Sequence, residues 1–256
     1  MPASVAVPLV LLVGLAVGSF LNVCIHRLPR RESIAWPPSR CPTCGVPIRW
    51  IHNIPVVSYL ALRGRCASCG SRISPVYPLV EAACAGLFVL HYWQLGWTPL
   101  LAVRLAFAAA MIALFVIDAE HQILPDAITL PGIAVGLAAS LVLPPGWVGS
   151  LAGLLVGGGV LWTVGEGYFR LRGVEGMGFG DVKMLAMVGA FLGWPLTVVT
   201  LVGASLAGAL VGAALLASGR GTLQLKLPFG SFLAVAAVAA GLWGQGLVDW
   251  YASFYR

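Results

Sequence analysis

Charge is what this 256-residue chain lacks most. Asp, Glu, Lys and Arg together make up 9% of it, where a soluble domain carries about 25%. Composition therefore excludes an ordinary soluble globular protein. Acids are the scarcer sign, nine against fifteen basic residues. The resulting net charge of +6 is no argument for nucleic acid, because the basic residues of a membrane protein follow its topology. No low-complexity tail, soluble second domain or internal repeat is visible. The first apolar run also lacks the marks of a signal peptide: no positive charge precedes it and no small-x-small cleavage site ends it.

What is present is apolar. Hydrophobic residues make up 59% of the chain, in runs that are continuous rather than alternating. A run of about 20 such residues spans a bilayer as a helix. Lipid leaves only helices and closed barrels, because every backbone polar group must be satisfied internally. The 32 glycines fit this reading, since small residues let membrane helices pack closely. The expected fold is an all-α integral membrane protein with about eight transmembrane helices. The runs are 5–25, 78–93, 100–117, 127–143, 148–169, 182–193, 196–217 and 229–250. The sixth is the shortest. Pro125, Pro195 and Pro228 sit at run boundaries, where the lost N–H costs least.

The stretch between the first two runs is different in kind. It is polar, Pro-rich and Arg-rich and holds four of the six cysteines. The expected organisation is a first membrane helix at 1–25, a small cytoplasmic insert at 26–77 and a seven-helix membrane core at 78–256. Arg27, Arg30 and Arg31 flank the first helix on its C-terminal side, which sets its N-terminus outside the cytoplasm. Alternating from there, only Arg104 and Arg256 of the fifteen basic residues fall outside cytoplasmic segments.

Cys41-Pro-Thr-Cys44-Gly and Cys66-Ala-Ser-Cys69-Gly are two CxxC pairs 21 residues apart. Each glycine permits the tight turn that aims both thiolates at one ion. The spacing fits a closed, structural four-thiolate zinc site. Two disulfides are the alternative, and the reducing cytoplasm disfavours them. Metal would supply folding energy to an insert too small for a large core. Cys24 and Cys84 lie in apolar runs and read as buried small hydrophobes.

Asp118 closes the third run and Asp181 opens the sixth, both on the cytoplasmic side. Acids at membrane depth face the bundle interior and mark function. Two carboxylates brought together share one proton; the ionised member activates water and the protonated member donates to a peptide carbonyl. That is metal-free aspartic protease chemistry. Glycines 176, 178 and 180 would let the backbone bend at the membrane face and a substrate strand approach. Taken alone, Gly178-Phe-Gly180-Asp181 equally describes a helix N-terminus with a favourable first-turn acid, and Asp118 a helix end. Asp126 reads as an N-cap of the fourth helix, and Glu120 and His121 as a solvated loop. Glu81 calls for a partner, for which an insert arginine is available. Glu166 has no partner evident in the sequence.

Together the motifs resemble those of bacterial type IV prepilin peptidases, bifunctional leader peptidases and N-methyltransferases of the GxGD aspartic type. The resemblance runs from Gly18-Ser-Phe-Leu-Asn22-Val and Arg27-Leu-Pro29 through the paired CxxC insert with Asn53-Ile-Pro55 and Arg63-Gly-Arg65-Cys66. It continues with Tyr77-Pro78-Leu-Val-Glu81, then Asp118 with Leu124-Pro125-Asp126, then Gly178-Phe-Gly180-Asp181-Val-Lys183, and ends at Pro228-Phe-Gly230. It implies Asp118 and Asp181 as catalytic residues, supported by Gly178, Gly180, Asp126 and Lys183, with Cys41, Cys44, Cys66 and Cys69 holding zinc in an insert linked to methyl transfer. The implied substrates are type IV prepilins and type II secretion pseudopilins, cut at the cytoplasmic face of a bacterial inner membrane. The new N-terminal residue is then methylated from S-adenosylmethionine. No Gly-rich nucleotide loop is present, so no residue is assigned to the methyl donor. Glu120 and Glu175 are candidates to receive the basic leader. Ser231 stands where the family more often has proline, a departure that reads as peripheral. Alternatives are a presenilin-like protease of other substrates, a zinc-bearing membrane scaffold and a proton-coupled transporter. The insert and opening block disfavour the first. The scaffold leaves the aspartates without a task, and a transporter would carry its acids nearer mid-membrane.

Overall fold

The structure, a computed structural model, describes residues 2–173, 178–219 and 227–255. Among them the regular secondary structure is helical, with two isolated antiparallel bridges in the insert. In chain order the helices are α1 (Ala3–Arg27), α2 (Val57–Ala61), α3 (Val76–Leu95), α4 (Pro99–His121), α5 (Asp126–Ser140), α6 (Gly146–Arg172), α7 (Phe179–Leu192), α8 (Trp194–Ala217) and α9 (Phe229–Ser253). Each predicted run forms a helix. Six helices, α1, α3, α4, α6, α8 and α9, are long and apolar enough to cross a membrane. The other two runs form shorter helices: α5 has 15 residues and α7 has 14. At about 1.5 Å per residue these reach roughly 21–23 Å, less than the ~30 Å hydrocarbon core. Pro125 is the N-cap of α5, Pro195 lies in the first turn of α8 and Pro228 is the N-cap of α9.

The chain divides into two compact units, Met1–Ala113 and Leu114–Arg256. In the first, α1 and α3 pack at glycine contacts. A Cβ on Gly14 would lie 2.6 Å from the Ala85 Cα, and one on Gly18 would lie 2.6 Å from the Glu81 Cα. The insert is tied to these helices by polar side chains. Arg27 is buried and donates to the carbonyls of Ser33 and Pro37 at 2.8 and 2.6 Å. Asn22 donates to the Tyr77 carbonyl at 3.1 Å. Among the described residues no arginine pairs with Glu81, which is 8% exposed. Its carboxylate accepts the Val56 backbone N–H at 2.7 Å, holding Val56 at φ 60° and ψ −49°, the centre of a tight turn closed by the Val57 N–H on the Pro55 carbonyl. A β-branched residue there is strained, and the charge-assisted bond at its N–H offsets that cost.

In the second unit α7 is the central helix, packed against α5, α6, α8 and α9. Every residue from Met184 to Leu192 is buried. A helix covered by protein faces no lipid, so its length need not match the bilayer. Its closest neighbour is α6. A Cβ on Gly189 would lie 2.1 Å from the Gly153 carbonyl oxygen, and one on Gly157 would lie 2.5 Å from the Leu185 oxygen. Ser150 adds a hydrogen bond to the Ala190 carbonyl at 2.6 Å. Glu166, unpartnered in the sequence reading, pairs one turn along α6 with Arg170 at 2.7 Å.

These contacts predict a graded response to added methyl groups. Gly189→Ala must push two backbones apart and should cost about 2–3 kcal/mol or more. Gly159→Ala meets nothing within 4 Å and should be neutral or slightly stabilising. Thermal unfolding of the two variants in detergent checks the difference.

Candidate active site and metal centre

The insert cysteines form two turns of one design. Gly45 N–H bonds to the Cys41 carbonyl and Gly70 N–H to the Cys66 carbonyl, both at 2.9 Å. Cys41 N–H returns to Val46 and Cys66 N–H to Ser71. Gly45 and Gly70 both stand at φ +71° with open space where a Cβ would be, so the backbone conformation, not crowding, selects glycine. The bridges Arg40–Pro47 and Arg65–Arg72 close the turns. All four Sγ atoms lie within 4.8 Å of one another, and Cys41 and Cys69 are 3.9 Å apart. Tetrahedral zinc with Zn–S bonds of about 2.3 Å sets its sulfurs roughly 3.8 Å apart. Disulfides need about 2.05 Å, and all six cysteines are free. The thiols also oppose one another electrostatically. Backbone N–H groups of Cys44 and Thr43 hold Cys41 down at about 6. Against the Val46 N–H, burial and the neighbouring sulfurs push Cys44 up to about 11. A divalent cation is what relieves such a set. Cys24 and Cys84 are buried in α1 and α3, apart from the cluster.

The candidate acids come together in the second unit. Asp118 sits in the last turn of α4, 5% exposed. Asp181 sits in the first turn of α7. Both line one cavity of about 240 Å³, with Gln122, Ile123, Leu124, Gly178, Gly180 and Lys183. Two donors converge on a single Asp118 oxygen, Oδ2: the Ser231 backbone N–H at 2.6 Å and the Ser231 hydroxyl at 3.0 Å. Ser231 lies in the first turn of α9, whose free N–H groups favour a carboxylate.

The supporting residues differ from expectation in informative ways. Asp126 is not an N-cap; Pro125 is, and no side-chain cap bond forms. Asp126 instead pairs with Lys183 of α7, which also lies 5.3 Å over the Phe179 ring. Gly178 has φ −72°, which any residue adopts, so no special bend explains it. Gly180 is needed for contact: a Cβ would meet Leu124 at 3.0 Å. Gly230 is tighter still, with Asp118 Cγ, Asp118 Oδ2 and Leu124 all at 3.0 Å from its would-be Cβ. Glu120 and His121 are exposed in the last turn of α4 rather than in a loop. Glu175 and Gly176 lie outside the described residues. Ser231 was the residue that sequence reasoning undervalued. Its signal was present, a hydrogen-bonding residue in the Pro228 block.

Comparison with known proteins gives the family. Residues 12–95 match the family model described as Bacterial Peptidase A24 N-terminal domain, and residues 105–213 that of the Type IV leader peptidase family. A protein of Pseudomonas putida named prepilin leader peptidase/N-methyltransferase is 40% identical over 93% of this chain and 91% of its own length. The chain belongs to the type IV leader peptidase family. Proteins of the same name from Pseudomonas aeruginosa and Aeromonas hydrophila are each 39% identical, over 95% of this chain and 92% of their own lengths. No solved structure matches the chain. The paired CxxC turns fall within the first family match and both candidate aspartates within the second.

Two outcomes follow from the geometry. Gly230→Ala should displace the Asp118 carboxylate and lower peptide cleavage by about 10- to 100-fold, the usual effect of a misplacement on the ångström scale. Cleavage assays on the purified variant check it. Cys41→Ser or Cys66→Ser should lose bound metal and make the insert protease-sensitive while the helices stay intact. Elemental analysis and limited proteolysis read that out.

Proposed function

We propose that this protein cleaves the leader from type IV prepilins and type II secretion pseudopilins and then methylates the new N-terminus. The observation that carries the reading is the meeting of Asp118 and Asp181 on one cavity in a chain of this family. One aspartate, ionised, takes a proton from water, and the water oxygen attacks the scissile carbonyl. The other, protonated, donates its proton to the carbonyl oxygen. Collapse of the tetrahedral intermediate breaks the C–N bond. The amine leaves with the proton the base took, and the acid recovers its own. No metal enters these steps. Lys183, held by Asp126, fixes the entry of α7 to that of α5 and so supports Asp181. Gly178 and Gly180 line the cavity without side chains, leaving room for an extended substrate strand.

The sulfurs of Cys41, Cys44, Cys66 and Cys69 fit zinc, which would close their turns and stabilise the insert without taking part in hydrolysis. We assign residues 26–77 to the methyl-transfer half and residues 78–256 to the peptidase half. S-adenosylmethionine would supply the methyl group for the freed amine. The distribution of basic residues supports eight crossings of a bacterial inner membrane, with the insert and acidic pair on the cytoplasmic side. A prepilin presents a hydrophobic helix behind a basic leader. Carboxylates at that depth meet the junction without drawing the helix out of lipid.

Mass spectrometry of a prepilin incubated with the purified protein and S-adenosylmethionine tests the reading. Wild type should yield a cleaved, methylated N-terminus. Asp118→Asn and Asp181→Asn should each lower cleavage by about 10³-fold or more, as expected when half of an acid–base pair is lost. Continued cutting by both variants would remove these aspartates from the mechanism.

A further inference from the structure

Two carboxylates that share one proton need something to decide which of them keeps it. The structure supplies an asymmetry. Asp118 Oδ2 receives two hydrogen bonds from one residue, the Ser231 N–H at 2.6 Å and the Ser231 hydroxyl at 3.0 Å. Both residues are buried. The hydroxyl has a second acceptor within reach, the Phe115 carbonyl at 3.1 Å; the backbone N–H has one too, the Pro228 carbonyl at 3.2 Å, but the Asp118 oxygen is the nearer by far. Among the described residues no comparable donor reaches the Asp181 carboxylate. The charged groups around the pair do not reverse this bias. Lys183 of α7 lines the cavity, but its ammonium is taken up by Asp126 of α5. From α9 the contact to Asp118 is Ser231, which is uncharged, and from the α4–α5 connection Gln122 lines the cavity. Each aspartate opposes ionisation of the other. Hydrogen bonds to an ionised carboxylate favour that form, and those with a charged partner are about twice as strong as neutral ones.

We infer that Ser231 is a positioning residue that keeps Asp118 as the ionised base and leaves the shared proton on Asp181, the acid. The inference rests on the proposed catalytic pair and assigns the roles within it. Proline at this place would have neither an N–H nor a hydroxyl to give. The first turn of α9 tolerates a proline in its backbone, but the ring carbon would take the place of the N–H and displace the Asp118 oxygen that lies 2.6 Å from it.

The test is prepilin cleavage by the full-length protein in detergent, with kcat and KM measured across pH for wild type, Ser231→Ala, Ser231→Pro and Asp118→Asn. Losing the hydroxyl should lower kcat by about tenfold, and losing both donors by up to about a hundredfold, the range for hydrogen bonds to a charged group. KM should stay within about twofold, since the bonds do not touch substrate. Donors that favour the charged form keep the base unprotonated to lower pH; removing them moves the acid side of the kcat profile to higher pH, further for proline than for alanine. If Ser231→Pro does not fold, the alanine profile alone decides. Variants with an unchanged profile, or with a lower kcat and no movement of its acid side, would overturn the assignment while leaving the pair intact. Cleavage by Asp118→Asn would instead overturn the pair on which the assignment rests.

Discussion

Asp181 reaches the cavity because α6 and α7 touch backbone to backbone at Gly153 and Gly189. Without side chains at those points, α7 sinks into the middle of its unit and α5, α8 and α9 close around it. A helix so placed is held by dispersion contacts on every side, the main force between helices when lipid is the solvent. Its first turn then opens at a protein-lined cavity rather than into lipid. That is the setting in which a membrane protein tolerates a carboxylate. The length of α7 fits the same contact, since a helix surrounded by protein need not match the thickness of the bilayer.

A second constraint governs the insert. A segment of about 50 residues buries too little apolar surface to fold well alone. Here it is held at both ends of its path. Arg27 gathers the chain leaving α1, Glu81 grips the strained backbone at Val56, and the four sulfurs converge on a volume suited to one cation. Gly18, in the opening block of the family resemblance, has a physical task in this scheme. It lets α1 approach the α3 backbone at Glu81, which keeps the anchoring carboxylate against both helices.

At the acidic pair the environment is uneven, and that unevenness lets two identical side chains differ. Asp118 lies against the N-terminus of α9 with two donors on one oxygen, while Asp181 lies in the first turn of its own helix. Gly230 permits the approach, because any Cβ there would press on the Asp118 carboxylate. The Pro228-Phe-Gly230 block is therefore part of the site's construction, although it is more than 100 residues from Asp118 along the chain.

Much of this was legible in the residues. Low charge and continuous apolar runs determined a helical membrane protein. The paired CxxC-Gly turns determined a four-sulfur cluster, since local spacing alone aims each pair. The two aspartates were visible as acids too costly to leave idle at membrane depth. Asp126 and Glu81 were misread because their partners, Lys183 and the Val56 N–H, lie 57 and 25 residues away. Ser231 was passed over because its importance comes from a neighbour 113 residues distant. Sequence by itself determined which segments are helices and which residues are candidates for chemistry, because apolarity, turn chemistry and ligand spacing are local properties. Only tertiary structure decided that α7 lies at the core, that Asp118 and Asp181 line one cavity, and that a serine 113 residues away donates to Asp118. Those facts depend on which backbones can touch, and packing sets that across the whole chain.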